Sequence, residues 1–128
     1  FKGCIAPKAI TAIKRGTDRL QIFEGFMDFL SWQTLNPSST CDNIVLNSLA
    51  LLSRIQEKIR GYKQVESFLD NDEAGRKSFE VLRQMFPQLV NGAARYREHK
   101  DLNEWLVAQS KVKEKQMLLP TTKRGIRR

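Results

Sequence analysis

Histidine and cysteine are scarce in this chain: His99 stands alone, and Cys4 and Cys41 are far apart with no CxxC or Cys/His spacing. That scarcity excludes a zinc site, which takes three or four such ligands, and it excludes the disulfide framework of a small secreted domain. The two thiols read as free, in keeping with a reducing compartment, and the cytoplasm is the expected location. No apolar run is long enough to cross a bilayer and none has the form of a secretory signal, so no membrane partner is expected. Internal repeats and low-complexity tracts are also missing. The chain opens on Phe1 rather than Met and reads as a piece of a longer protein.

What is present bounds the answer further. With 128 residues and 41% hydrophobic composition there is enough apolar material for one core and too little for two. Twenty-two Lys and Arg against fourteen Asp and Glu give a net charge of +8, which suits a polyanionic partner because each neutralised phosphate releases counterions. Part of that excess lies in Lys123–Arg128, expected to be a disordered tail. The expected division is an N-terminal extension with an edge strand over 1–19, one domain over 20–110 and a basic tail over 111–128.

Along the chain, β-branched Ala9–Ile13 reads as a strand, Arg15–Asp18 as a turn and Leu20–Phe23 as a second strand. A helix after Gly25 carries Phe26, Phe29, Leu30 and Trp32 and stops at Asn36-Pro37. Asn43–Leu46 is a strand before a helix with Leu49, Leu52, Ile55 and Ile59, ending at Gly61. Gln64–Leu69 leads into the helix Ala74–Phe86, which Pro87 ends. After three strand-then-helix units Leu89-Val90 is one further short strand, and Asp101, with Glu104 three residues on, is an N-cap for a last helix bearing Leu102, Trp105, Leu106 and Val107. Strands alternating with helices over short connections predict an α/β fold with a parallel sheet and helices on both faces.

In such sheets ligands gather outside the carboxyl ends of the strands, and Glu24, Asn47, Asp70 and Asp72 all fall there. If the chain stays extended through Asn71, Asp70 and Asp72 point to one side and can share a hard cation; the competing role for an Asp in this place is capping the following helix. Glu24, with Gly25 and Asp28, adds a further acid to the same edge. A calcium loop starting at Asp70 fails, since Val81 stands where a bidentate Glu belongs. Phosphatase and receiver-domain arrangements need acids on the first strand in another order.

Phe23-Glu24-Gly25-Phe26-Met27-Asp28-Phe29-Leu30 and Leu69-Asp70-Asn71-Asp72-Glu73-Ala74-Gly75-Arg76 resemble the two signature motifs of the Toprim family, shared by bacterial primases, topoisomerases, certain nucleases and recombination proteins. Lys100-Asp101-Leu102-Asn103-Glu104-Trp105-Leu106 is similar to the closing segment of primase-type members, and Ala74-Gly75-Arg76 leans to the same branch. The resemblance implies a Rossmann-like α/β domain in which Glu24 acts as general acid or base or completes the metal site, while Asp70 and Asp72 bind Mg²⁺, or Mn²⁺ in its place. Asp28, Asn47 and Asp101 are supporting residues, and Arg76, Lys77, Lys14 and Arg15 are the candidates for nucleic-acid contact. The implied function is Mg²⁺-dependent nucleotidyl transfer in DNA replication or mobile-element transfer. Its partners would be a single-stranded DNA template, nucleotides, and a helicase or other replication protein. The alternatives are a nuclease or topoisomerase-related protein using the same acids, or a non-catalytic nucleic-acid-binding recombination module. Tyr62 and Tyr96 carry no mark of a topoisomerase nucleophile and read as ordinary packing or surface tyrosines.

Overall fold

The structure is a computed structural model that describes residues 9–118. Five strands form one sheet in the order β1-β3-β2-β4-β5, with β1 at Thr11–Ile13, β2 at Arg19–Phe23, β3 at Asp42–Val45, β4 at Gln64–Phe68 and β5 at Val90–Asn91. Between them run α1 (Phe26–Leu35), a 3₁₀ helix (Leu49–Ile55) that passes into the short α2 (Gln56–Ile59), α3 (Glu73–Met85), a second 3₁₀ helix (Gly92–Tyr96) and α4 (Leu102–Leu118). Cys4, with the rest of Phe1–Lys8, and the basic segment Lys123–Arg128 lie outside the described residues.

Strands β2 to β5 pair in parallel, with β2 between β3 and β4. β1 departs from the expected parallel sheet: it runs antiparallel to β3, Thr11 opposite Val45 and Ile13 opposite Asn43. The sheet is therefore mixed. The link Lys14–Asp18 is too short for the crossover that parallel strands require. It turns on Gly16 at φ 82°, and Asp42 Oδ1 accepts the Arg15 and Thr17 main-chain N–H groups at 2.6 and 3.3 Å.

Alternation of period two puts apolar side chains on both faces, so both must be covered. Leu20, Ile22, Ile44, Leu46, Val65 and Leu69 meet Leu52, Ile55, Ile59, Leu82 and Phe86 on one side. Phe23, Val45 and Phe68 meet Phe29 and Trp32 of α1, Tyr96 and Leu102 on the other. Helices on both faces are thus as expected. Phe23 stacks on Phe68 with ring centroids 4.9 Å apart, and Trp32 lies 4.5 Å from the Phe68 ring. The helix expected from Leu49 to Gly61 is mostly 3₁₀, started by Ser48 Oγ accepting the Ala50 N–H. The segment assigned to a basic tail from residue 111 begins inside α4, whose residues Gln109–Gln116 are exposed.

Candidate metal centre at the strand ends

The interior strands β2 and β4 end side by side, and the chain reaches Glu24 directly after β2 and Asp70 two residues after β4. The Glu24 N–H donates to Phe68 O at 3.3 Å and the Asn47 N–H to Glu24 O at 2.9 Å, so the ladder continues one residue beyond β2 on both sides. Glu24 Oε1 accepts the Asp70 main-chain N–H at 2.8 Å, which joins the two strand ends through a side chain. The start of α3 packs directly on this bend. A Cβ at Gly75 would collide with the Asp70 carbonyl, so only glycine allows the helix to begin so close to β4.

Two further acids arrive from the face covered by α1 and α4. Asp28, in the first turn of α1, is buried, and its Oδ1 accepts the Asn103 N–H at 3.2 Å. Asp101 caps α4 as expected, its Oδ1 accepting the Glu104 N–H at 2.8 Å. Glu104 reaches back one residue further than a capping box would place it, to the Lys100 N–H at 2.9 Å. Asp28, Asp70 and Asp101 each place a carboxylate oxygen within 4.8 Å of the others.

This crowding shows in the proton affinities. Burial, then the charges of Glu24, Asp28, Asp101 and Asp72, push the Asp70 carboxyl up to about 7. Burial pushes Asp28 up to about 6 despite its bond from Asn103. Glu24 is raised by burial, against the lowering effect of the Asp70 N–H bond and of Lys100. Carboxylates packed this way hold protons near neutrality or take up a cation. The donor set is all oxygen, and no Lys or Arg among the described residues forms an ion pair with Asp28, Asp70 or Asp101. Both features fit a hard divalent ion.

Asp72 stands at the N-cap of α3, where its Oδ1 accepts the Gly75 N–H at 2.8 Å. The geometry thus displays the capping role, and its charge is still felt by Glu24 and Asp70. Asn47, at φ 64°, turns its amide away to Ala9 O and Thr11 Oγ1 at 2.8 and 3.1 Å, and so ties down β1. Arg76 sits beside the bend, its Nη1 donating to Asn71 O at 3.1 Å. It lines a cleft of about 520 Å³ together with Asp70, Phe79, Arg83 and Asn91. Lys77 is exposed and pairs with Glu73 at 3.4 Å. Lys14 and Arg15 are not brought to this edge: they follow β1 at the opposite end of the sheet, where Arg15 Nη1 bonds Ser39 O and Cys41 O.

Sequence reasoning gave no role to Lys100, whose charge lowers the proton affinity of Glu24. Of the packing and surface roles left open for Tyr96, the structure shows the buried one, and its hydroxyl donates to Leu69 O at 2.8 Å, directly before Asp70. No spacing rule marks either residue, because Tyr96 ends the second 3₁₀ helix and Lys100 lies in the turns after it.

A protein family described as Toprim-like matches residues 21–106. Among solved structures, the primase fragment of the bacteriophage T7 primase-helicase protein superposes with a TM-score of 0.58 at 19% identity, over 80% of this chain and 43% of that one. A primase domain in a bacteriophage T7 lagging-strand DNA polymerase complex, bound to an RNA/DNA hybrid and dTTP, gives 0.50 at 23% identity, over 60% of this chain and 42% of that one. A small TOPRIM domain protein from Bacillus stearothermophilus gives 0.50 at 23% identity, over 79% of this chain and 88% of that one. At these identities the likeness is one of fold. This chain spans less than half of the two T7 chains, and no curated relative matches it.

Proposed function

The chain belongs to the Toprim-like family, and from that premise we propose that it is the metal-binding half of a primase-type nucleotidyl transferase, dependent on Mg²⁺, with Mn²⁺ as a substitute. The observation that carries this reading is the convergence of Asp28, Asp70 and Asp101 within 4.8 Å at the end of the two interior strands. Bound there, a divalent cation would neutralise the phosphate oxygens of nucleotide and growing strand. Asp70, Asp101 and the buried Asp28 would hold it, each through a carboxylate oxygen. Asp72 completes the approach electrostatically while holding the start of α3.

Glu24 is the proton carrier in this reading. Its Oε1 is held by the Asp70 N–H, which fixes the carboxyl, and its raised proton affinity moves it toward the range in which a group can both accept and release a proton near neutral pH. Arg76 meets phosphate beside the site. Single-stranded DNA and nucleotides are the expected ligands, in line with the net charge of +8 and with the RNA/DNA hybrid and dTTP bound by the T7 complex. A helicase or another replication protein is the expected partner. No described helix is long and apolar enough to cross a membrane.

The test is primer synthesis by the complete protein on single-stranded template with Mg²⁺. Glu24→Gln and Asp70→Asn should each abolish product, and wild-type rates in both would refute the proposal. Cleavage of the template without nucleoside triphosphates would instead make the same acids those of a nuclease. Salt-sensitive DNA binding that ignores Mg²⁺ and both substitutions would make the domain a binding module.

A further inference from the structure

We infer that Asn71 is a positioning residue for the metal centre: it staples the bend that carries Asp70 to the loop that delivers Asp101, and so sets the spacing of two of the three carboxylates. The inference rests on the metal reading above. Asp70 and Asp101 are remote in sequence, and something must hold their backbones in register. The main-chain N–H of Asn71 donates to Lys100 O at 2.6 Å, immediately before Asp101. Its side-chain nitrogen donates to Tyr96 O at 2.8 Å and His99 O at 3.0 Å, and Ala93 O lies at 3.5 Å.

These carbonyls lie along the second 3₁₀ helix and the turns that follow it, where a helix end leaves carbonyls with spare acceptor capacity; Tyr96 O also accepts the His99 main-chain N–H at 2.9 Å. A carboxamide nitrogen has two hydrogens, so the two short bonds use both and the contact to Ala93 is marginal. An aspartate in this place has no hydrogen to give, and an apolar residue removes the donor from His99 O and leaves Tyr96 O only the His99 main-chain N–H. The Asp101 cap on Glu104 orients the carboxylate within its own helix start but does nothing to place that start against β4. Asn71 does, assisted by the Tyr96 hydroxyl on Leu69 O.

The experiment is a double-mutant cycle on Mn²⁺ affinity, read from free Mn²⁺ by electron paramagnetic resonance, in wild type, Asn71→Leu, Asp101→Asn and the double variant. Asn71→Leu should weaken binding about 10-fold, as loss of a supporting partner of a ligand does. In the Asp101→Asn background the same change should cost less than about 2-fold, because the residue being positioned is already gone. An equal loss in both backgrounds, or unchanged affinity in a folded Asn71→Leu chain, overturns the inference. Should Asn71→Leu not fold, Asn71→Ser, which keeps one donor, takes its place in the cycle. A wild-type chain that binds no Mn²⁺ overturns the metal reading itself. The staple is then judged by amide hydrogen exchange at Lys100 to Glu104: faster exchange in the variant supports it, and unchanged exchange refutes it.

Discussion

Replacing Asp28 by asparagine should stabilise the metal-free protein at neutral and alkaline pH while weakening its hold on a divalent cation. Asp28 is 7% exposed, and burial raises its carboxyl from 3.8 to about 6. At about 1.4 kcal/mol per unit, that rise sets a ceiling of about 3 kcal/mol on the cost of ionising it in the folded chain. The sign follows from proton counts. Between pH 4 and 6 the unfolded chain has released this proton and the folded chain still holds it, so stability falls as pH rises through that window and stays low above it. The carboxamide introduced by Asp28→Asn carries no charge at any pH, and its carbonyl oxygen can still accept the Asn103 N–H. Urea unfolding with chelator present should therefore show Asp28→Asn more stable than wild type by about 2–3 kcal/mol at pH 8 and near parity at pH 4. Saturating Mg²⁺ should restore the wild type and leave the variant little changed, because ligand binding stabilises only the chain that binds it. A variant less stable than wild type at pH 8 without metal would refute the account of Asp28 as a buried, crowded acid.

Asp70, raised to about 7, extends the same trend: apparent stability of the metal-free wild type should decline from pH 4 to above 7, and a slope of the opposite sign would contradict the crowding. Gly75→Ala, by forcing a methyl group onto the Asp70 carbonyl, should cost at least about 2 kcal/mol in urea unfolding. Phe68→Ala removes the ring that stacks on Phe23 and meets Trp32 and should cost about 3–5 kcal/mol by the same assay. Arg76→Ala should weaken binding of a single-stranded oligonucleotide and reduce its salt slope by about 1, whereas Lys14→Ala, at the far end of the sheet, should leave both unchanged in a fluorescence anisotropy titration.

The core was legible in the sequence because it obeys local periods. Leu20, Ile22 and Phe23 alternate across β2 as their spacing requires, and the helices between strands follow from Pro37, Gly61 and Pro87 as stops. The direction of β1 was written in the shortness of Lys14–Asp18, a constraint of chain reach rather than of pattern. The candidate site was legible only in its motif residues. Glu24 and Asp70 lie where strand ends put them, and Asp72 Oδ1 accepts the Gly75 N–H, the capping role that competed with metal binding for an Asp in this place. Asp101 announced itself as a cap; its approach to Asp28 and Asp70 depends on how the loop after β5 folds back, which no local rule encodes. Lys14 and Arg15 looked serviceable as phosphate contacts by charge alone, and the antiparallel turn of β1 carries them away.

Both outer strands of the sheet are very short, β1 at Thr11–Ile13 and β5 at Val90–Asn91. Borders this brief offer little unpaired backbone for another chain to zip onto, which guards against stacking of sheets between molecules. They also decide the order in which the fold comes undone. Fraying begins at such margins, while Glu24 and Asp70 follow β2 and β4, each flanked by a strand on either side. Thermal breathing at the rim thus leaves Glu24 and Asp70 in register, and the protein can loosen at its borders without parting these two acids.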